Sequence, residues 1–388
     1  MKGSIRQRSK GSWQIVLDIG NGADGQRHRV YETVHSTRKS DAQRRLNELL
    51  ANVEKGIYTP PGRLTLAEHL HNWLTGYVKS NCSLRTLDGY ESICVNHVVP
   101  ALGHVQLKHL QPQAIQSYYG KAVEKLSPRT VAKHHRLLSQ ALKYAVRQGY
   151  LGRNPCDLVD APSWKPKPMR TLTEWELQIF LEAANEHSPQ YYPVYYTAVS
   201  TGLRQSELCG LRWRDLDLDL LSLSVNQVLY KRRGVCEVKT PKTQHSRRRV
   251  SLTPKLALFL KDYQAERETL YWELAGKPLP LDSFVFGFPG KPCDPSMLSH
   301  DFAIIARKVG LEGVRFHDLR HTFATLMLMR GAPAKVISEA LGHASVAFTL
   351  QTYAHVLSGM QEKAMALLDE ILPAGVTRNS VAKLSPTL

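Results

Sequence analysis

Proline placement constrains this chain more than any other feature. Pro60-Pro61-Gly62, and the segment PSWKPKPMR at 162–170 with its three prolines and no hydrophobic period, cannot lie inside a helix or a central strand. They divide the 388 residues into three lengths, each of which must find its own fold. In the first length, WQIVLDI at 13–19 and HRVYETV at 28–34 flank the turn sequence NGADG, which predicts a β-hairpin, with a third strand around Ser4–Arg8. Ser40 is placed to cap a helix over DAQRRLNELLANVEKG, which carries Leu46, Leu49, Leu50 and Val53 on one face and stops at Gly56.

The second length is helical throughout. Thr65 and Glu68 form a capping-box pattern, Pro112 starts a helix through Glu124, and Ser127-Pro128 starts another with Val131, Leu138, Leu142 and Ala145 on one stripe. The expectation is four short helices with Lys133, His134, His135, Arg136, Lys143 and Arg147 outside that stripe. A second capping box, Thr173 to Glu176, opens the third and largest length. There helices surround a predicted β-meander at about 220–252 with a basic turn at Lys231–Gly234. The predicted domains are 1–58, 62–155, a linker at 156–170, 171–372, and a loose tail at 373–388. The fold class is multidomain α+β: a small sheet-plus-helix domain, a helical bundle, and a mainly α domain with a small antiparallel sheet.

Charge narrows the partner. The chain carries 51 Lys and Arg against 34 Asp and Glu, a net +17, so a polyanion is the expected large partner. Residues 61–168 hold 14 basic and 6 acidic side chains, whereas 169–388 hold 26 and 22, so the grip belongs to the N-terminal part. The 6 cysteines lie apart with no C-x-x-C pair, which argues against a zinc site or a disulfide framework. The basic N-terminus is followed by no apolar run, and no stretch reaches the ~18 apolar residues of a membrane span, so a cytoplasmic protein is expected.

Several motifs of the third length are modest alone. TGLRQSEL places Arg204 after a glycine turn at a helix start, where guanidinium and backbone N–H groups hold an anion together. HDLRH spaces His317 and Arg320 to address one phosphate. LGH ends a helix on Gly342 ahead of His343, and Ser345 caps a segment that presents Tyr353 ten residues after His343. Together they suit attack of a hydroxyl on a phosphodiester, with two arginines neutralising the transition state.

TGLRQSEL, TPKTQHSRRRV, HDLRHTFAT and LGHASVAFTLQTYAH, in that order, resemble the tyrosine recombinase (phage integrase) family along the whole chain. The resemblance implies an arm-type DNA-binding domain at the N-terminus, a core-binding helical (SAM-like) domain, and a catalytic pocket of Arg204, Lys242, His317, Arg320, His343 and Tyr353. It implies Tyr353 as nucleophile forming a 3′-phosphotyrosine, and Arg204 and Arg320 as the phosphate clamp. Lys242 becomes the acid for the leaving 5′-oxygen, with Lys239 a nearby competitor. His317 handles the tyrosine proton, His343 bonds the phosphate, and Glu207 supports the pocket from behind. No cofactor or metal is implied. The partners are double-stranded attachment sites, a homotetramer on DNA and an excision or DNA-bending factor, and a helix at Ser358–Leu372 docks in cis or in trans.

A chromosome-dimer-resolving relative would lack residues 1–58 and start near Leu64. A type IB topoisomerase would relax DNA without exchanging strands. An inactive architectural protein would not need the full set of six residues. The expected activity is therefore site-specific integration and excision of a phage or mobile element.

Overall fold

The computed structural model describes residues 2–21, 27–54, 64–165, 169–232, 234–241, 247–288, 291–354 and 365. The chain forms two compact units, Met1–Pro166 and Lys167–Leu388, and the division falls inside the proline-rich segment. Lys242, the Gly56 stop, the Ser358–Leu372 helix and the 373–388 tail lie outside the described residues, apart from Met365.

The first unit contains two separate cores. Strands β1 (Lys2–Ser9), β2 (Ser12–Asn21) and β3 (Arg27–His35) form an antiparallel sheet in that order, with Ile5 opposite Ile15 and Ile15 opposite Glu32. Alternation sends Ile15 and Leu17 to one face, where Leu46 and Leu49 of α1 (Lys39–Glu54) cover them. Helix α1 begins earlier than Ser40. Ser36 Oγ accepts from the Arg38 N–H and donates to Asp41 Oδ2 at 2.6 Å, so Ser36 organises the helix start and Ser40 lies inside the first turn.

The second core belongs to four helices. Helices α2 (66–81) and α3 (84–102) each contain one π turn, at Leu74–Val78 and Cys94–Val98. They are followed by α4 (Pro112–Val123) and α5 (Pro128–Arg147). The Thr65–Glu68 capping box forms, with Glu68 Oε2 accepting from the Thr65 N–H at 2.8 Å. Val131, Leu138, Leu142 and Ala145 are buried as the stripe requires. His134, expected outside, is fully buried, because its Nδ1 shares a 2.8 Å hydrogen bond with the Tyr118 hydroxyl across the α4–α5 contact. The bundle also extends into the expected linker: Pro155–Leu158 form a 3₁₀ turn, and Cys156 and Val159 join the core.

In the second unit, α6 (Glu174–His187), α7 (Tyr192–Thr201) and α10 (Pro295–Lys308) pack Phe180, Tyr195 and Phe302 together with ring centroids 4.6–5.7 Å apart. Burying each ring contributes about 1.5–3 kcal/mol before entropy is counted. The expected single meander is two sheets. Strands β4 (Leu216–Asp217), β5 (Ser222–Ser224) and β8 (Arg249–Ser251) form one, and β6 (Val228–Arg232) with β7 (Val235–Lys239) forms a separate hairpin. The cause is that β5 takes β8 as its neighbour, placing Leu223 opposite Val250 in the core and leaving the hairpin as an insertion between them. Helices α8 (Gln205–Leu208), α9 (Pro254–Ala275), α11 (Asp318–Met329), α12 (Ala334–Leu341) and α13 (Val346–Thr352) complete the described unit with the short β9 (Gly287–Phe288) and β10 (Lys291–Pro292) pair. Ala324, Leu328, Ile337, Leu341 and Tyr353 form a small core of their own, so α11, α12 and α13 are held as one block.

Candidate active site

Two glycine turns build the floor of the site. Helix α7 ends on Gly202 at φ +65°, and α12 ends on Gly342 at φ +64°, a region that favours glycine. A Cβ on Gly202 would stand 2.5 Å from Phe323 Cδ1, and one on Gly342 would stand 2.9 Å from an Arg248 nitrogen. The first turn therefore approaches α11, and the second approaches Arg248.

Both predicted clamp arginines reach these turns. Arg320, buried on α11, donates to the Gly202 carbonyl at 2.8 Å and to the Leu341 carbonyl at 2.7 Å. Arg204, at the start of α8, donates to Glu207 Oε1 at 2.8 Å and to the Gly342 carbonyl at 3.2 Å, and its side chain remains 35% exposed. Burial and then the neighbouring Arg204 charge lower the Arg320 pKa to about 9, so the Arg320 guanidinium stays charged at neutral pH.

Glu207 lies beneath them with 2% of its side chain exposed. It accepts from the Arg204 N–H at 2.9 Å and from two Arg248 nitrogens at 2.9 and 3.0 Å. Burial acts to raise its pKa, but Arg248 and then Arg204 hold it below the ordinary 4.5. Arg248 also donates through Nε to the Ala340 carbonyl at 2.6 Å, so it ties the arginine-bearing turn to the end of α12. Sequence reasoning did not single out Arg248, although it lies inside the TPKTQHSRRRV motif.

The histidines surround this pair. His317 immediately precedes α11 with its ring edge-on to His321, centroids 5.0 Å apart, and its pKa is lowered by burial and then by Arg320. His343 shares a 2.7 Å hydrogen bond with Thr349 Oγ1 through Nδ1, and burial followed by Arg320 pulls it to about 4. Ser345 caps α13 by accepting from the Phe348 N–H, as the sequence predicts, and Tyr353 stands at the end of that helix. The phenol is fully buried, and burial raises its pKa to about 12 against the opposing pull of Arg320.

His321 is the second residue that sequence reasoning passed over. Its Nδ1 lies 2.8 Å from the Tyr353 hydroxyl, and burial followed by His317 lowers its pKa to about 4. Arg204, Glu207, His317, Arg320, His343 and Tyr353 are thus brought together. Lys242 lies outside the described residues, while Lys239, at the end of β7, pairs with Glu237 at 2.9 Å. Among the described residues no group of three His, Cys, Asp or Glu could hold a metal ion, and no helix is long and apolar enough to cross a membrane.

Comparison with known proteins places this arrangement. The sequence profile of the phage integrase family matches residues 170–359, and that of the phage integrase N-terminal SAM-like domain matches residues 65–123. A tyrosine recombinase XerC-like protein of Caldanaerobacter subterraneus subsp. tengcongensis is 27% identical, across 94% of this chain and 97% of its own length. The ICEBs1 integrase of Bacillus subtilis is also 27% identical, across 95% of this chain and 100% of its own. The solved Tn1549 transposon integrase in complex with a circular intermediate DNA shares the fold, with a TM-score of 0.66 at 21% identity over 82% of this chain and 98% of that one. The fold is that of the tyrosine recombinases. The chain belongs to the phage integrase family and is a site-specific DNA recombinase.

Proposed function

We propose that the pocket around Tyr353 cuts and rejoins DNA at the attachment sites of a phage or integrative element. The observation that carries this reading is the convergence of Arg204 and Arg320 on the 341–342 turn, with the Tyr353 phenol in the same small block. In the proposed roles Tyr353 Oη attacks the scissile phosphorus to give a 3′-phosphotyrosine and a free 5′-hydroxyl. Arg204 and Arg320 neutralise the non-bridging oxygens. His343 donates to one of those oxygens, His317 acts as acid/base beside them, and Lys242 protonates the leaving 5′-oxygen. Glu207 fixes Arg204 without touching substrate. The transesterification conserves the phosphoester, so the reaction reverses when a 5′-hydroxyl from another strand enters.

Residues 1–58 are proposed as an arm-type DNA-binding domain and residues 62–155 as the core-site clamp. The basic side chains on the exposed face of α5, Lys133, Arg136, Lys143 and Arg147, support the second assignment. Exchange of both strands of two duplexes needs one active site per strand, which supports a homotetramer on DNA. An excision or bending factor would set the direction of the reaction.

A suicide duplex, nicked so that the cleaved fragment diffuses away, tests the reading. Wild-type protein should hold labelled DNA after denaturation, and Tyr353→Phe should hold none while binding the duplex as tightly. Equal adduct in both would remove Tyr353 from the role.

A further inference from the structure

We infer that His321 is the general base for the nucleophile, its Nδ1 taking the phenol proton as Tyr353 Oη attacks phosphorus. This rests on the reading of Tyr353 as nucleophile and gives the proton a destination other than His317. Among the described residues His321 is the hydrogen-bond partner of that phenol, at 2.8 Å, with ring centroids 5.9 Å apart and inclined by 57°. No hydrogen bond between His317 and Tyr353 is found among the described residues; His317 instead faces the His321 ring.

The hydrogen bond has one direction that suits the chemistry. In the proposed step the phenol donates to an unprotonated Nδ1, which requires the tautomer with the ring proton on Nε2. The groups facing His321 are His317, Asp318, Arg320 and Arg315 from its own segment, and Tyr353 and His343 from the α12–α13 side. Burial and this mostly positive set keep the ring neutral, with a pKa near 4, while the phenol stays near 12. In the free protein the proton therefore remains on tyrosine. A DNA phosphate seated against Arg204 and Arg320 would offset the positive field acting on His321, so the base strengthens only when substrate is in place. His321 and Arg320 are adjacent on α11, which fixes the distance between base and clamp.

Atoms and charges balance in the proposed step. The Oη–P bond forms, the P–O5′ bond breaks, Nδ1 gains the phenol proton, and O5′ gains a proton from the separate acid assigned to Lys242. On rejoining, the imidazolium returns its proton to the departing phenolate.

The test uses the full chain on two suicide duplexes, one with the ordinary 5′-oxygen and one with sulfur in the bridging 5′ position, whose thiolate leaves without an acid. His321→Asn keeps an acceptor near the Nδ1 position but cannot take the proton. It should slow adduct formation on both duplexes by on the order of 100-fold while binding DNA like wild type. Wild-type rates on both duplexes would overturn the inference, as would a defect that vanishes on the sulfur duplex, which would place His321 at the leaving group. Tyr353→Phe in the same series keeps the two readings apart: if it still forms adduct, the nucleophile assignment fails, whereas adduct lost in Tyr353→Phe but formed at the wild-type rate in His321→Asn refutes only the base. Should His321→Asn not fold, 15N-histidine NMR of wild type and Tyr353→Phe reads the same contact. Loss of the phenol donor must shift one Nδ1 resonance, and an unchanged spectrum would overturn the inference.

Discussion

Replacing Arg248 by methionine removes the strap beneath the clamp while keeping most of its volume. Its side chain is 7% exposed and that of Glu207 is 2% exposed, so the contact is shielded from water. Removing one partner of a buried ion pair costs about 3–5 kcal/mol. Glu207 retains the Arg204 N–H at 2.9 Å and the Arg204 guanidinium at 2.8 Å, so the low end applies, about 3 kcal/mol. For a unit of roughly 150–250 residues each kcal/mol moves Tm by about 2–4 °C, which gives a drop of about 6–12 °C. Glu207→Gln and the double variant complete a thermodynamic cycle, read by thermal and urea unfolding, with an expected coupling of about 1.5–3 kcal/mol. The coupling is also pH-dependent. The folded Glu207 pKa lies below the ordinary 4.5, so its contribution is complete above 4.5 and is lost as pH falls through the folded value. A Tm within about 1 °C of wild type, or a coupling below about 0.5 kcal/mol, would refute the idea that Arg248 holds this site together.

Gly202→Ala should lower stability by about 2 kcal/mol or more, since the left-handed backbone alone costs roughly 1 and the new Cβ meets Phe323; unchanged urea unfolding would contradict it. His134 has its folded pKa lowered from 6.5 to about 4, first by burial, so the unfolded chain protonates first and stability falls between pH 6.5 and about 4. His134→Phe should flatten that part of the profile, and an unaltered slope would show that other groups set it. Deleting residues 1–58 should spare cleavage of a short core duplex and weaken recombination between full attachment sites, and binding by either part should fall steeply with salt. Loss of core cleavage would argue against a separable arm domain.

Local signals in the chain proved dependable where a few neighbouring residues decide the outcome. Both capping boxes, Thr65 with Glu68 and Thr173 with Glu176, form as their spacing requires, because the reciprocal hydrogen bonds join residues three apart. Gly342 and Ser345 likewise mark the end of α12 and the start of α13. What escaped is nonlocal. Arg248 meets Glu207 across 41 residues and His321 meets Tyr353 across 32, and no periodicity encodes such a meeting. The single meander failed for the same reason, since Leu223 finds Val250 beyond an inserted hairpin. His134 was misread because a basic residue at the edge of an apolar stripe turns inward when Tyr118 supplies a hydrogen bond.

The most direct measurement of the central claim is to trap the covalent complex, digest both DNA and protein, and locate the residual nucleotide by mass spectrometry. The peptide from Val336 to Lys363 contains Tyr353 as its one tyrosine. A nucleotide joined to that residue through its 3′-phosphate is the predicted result. A remnant on any other side chain, or one joined through a 5′-phosphate, would contradict the assignment of Tyr353 and the direction of attack together.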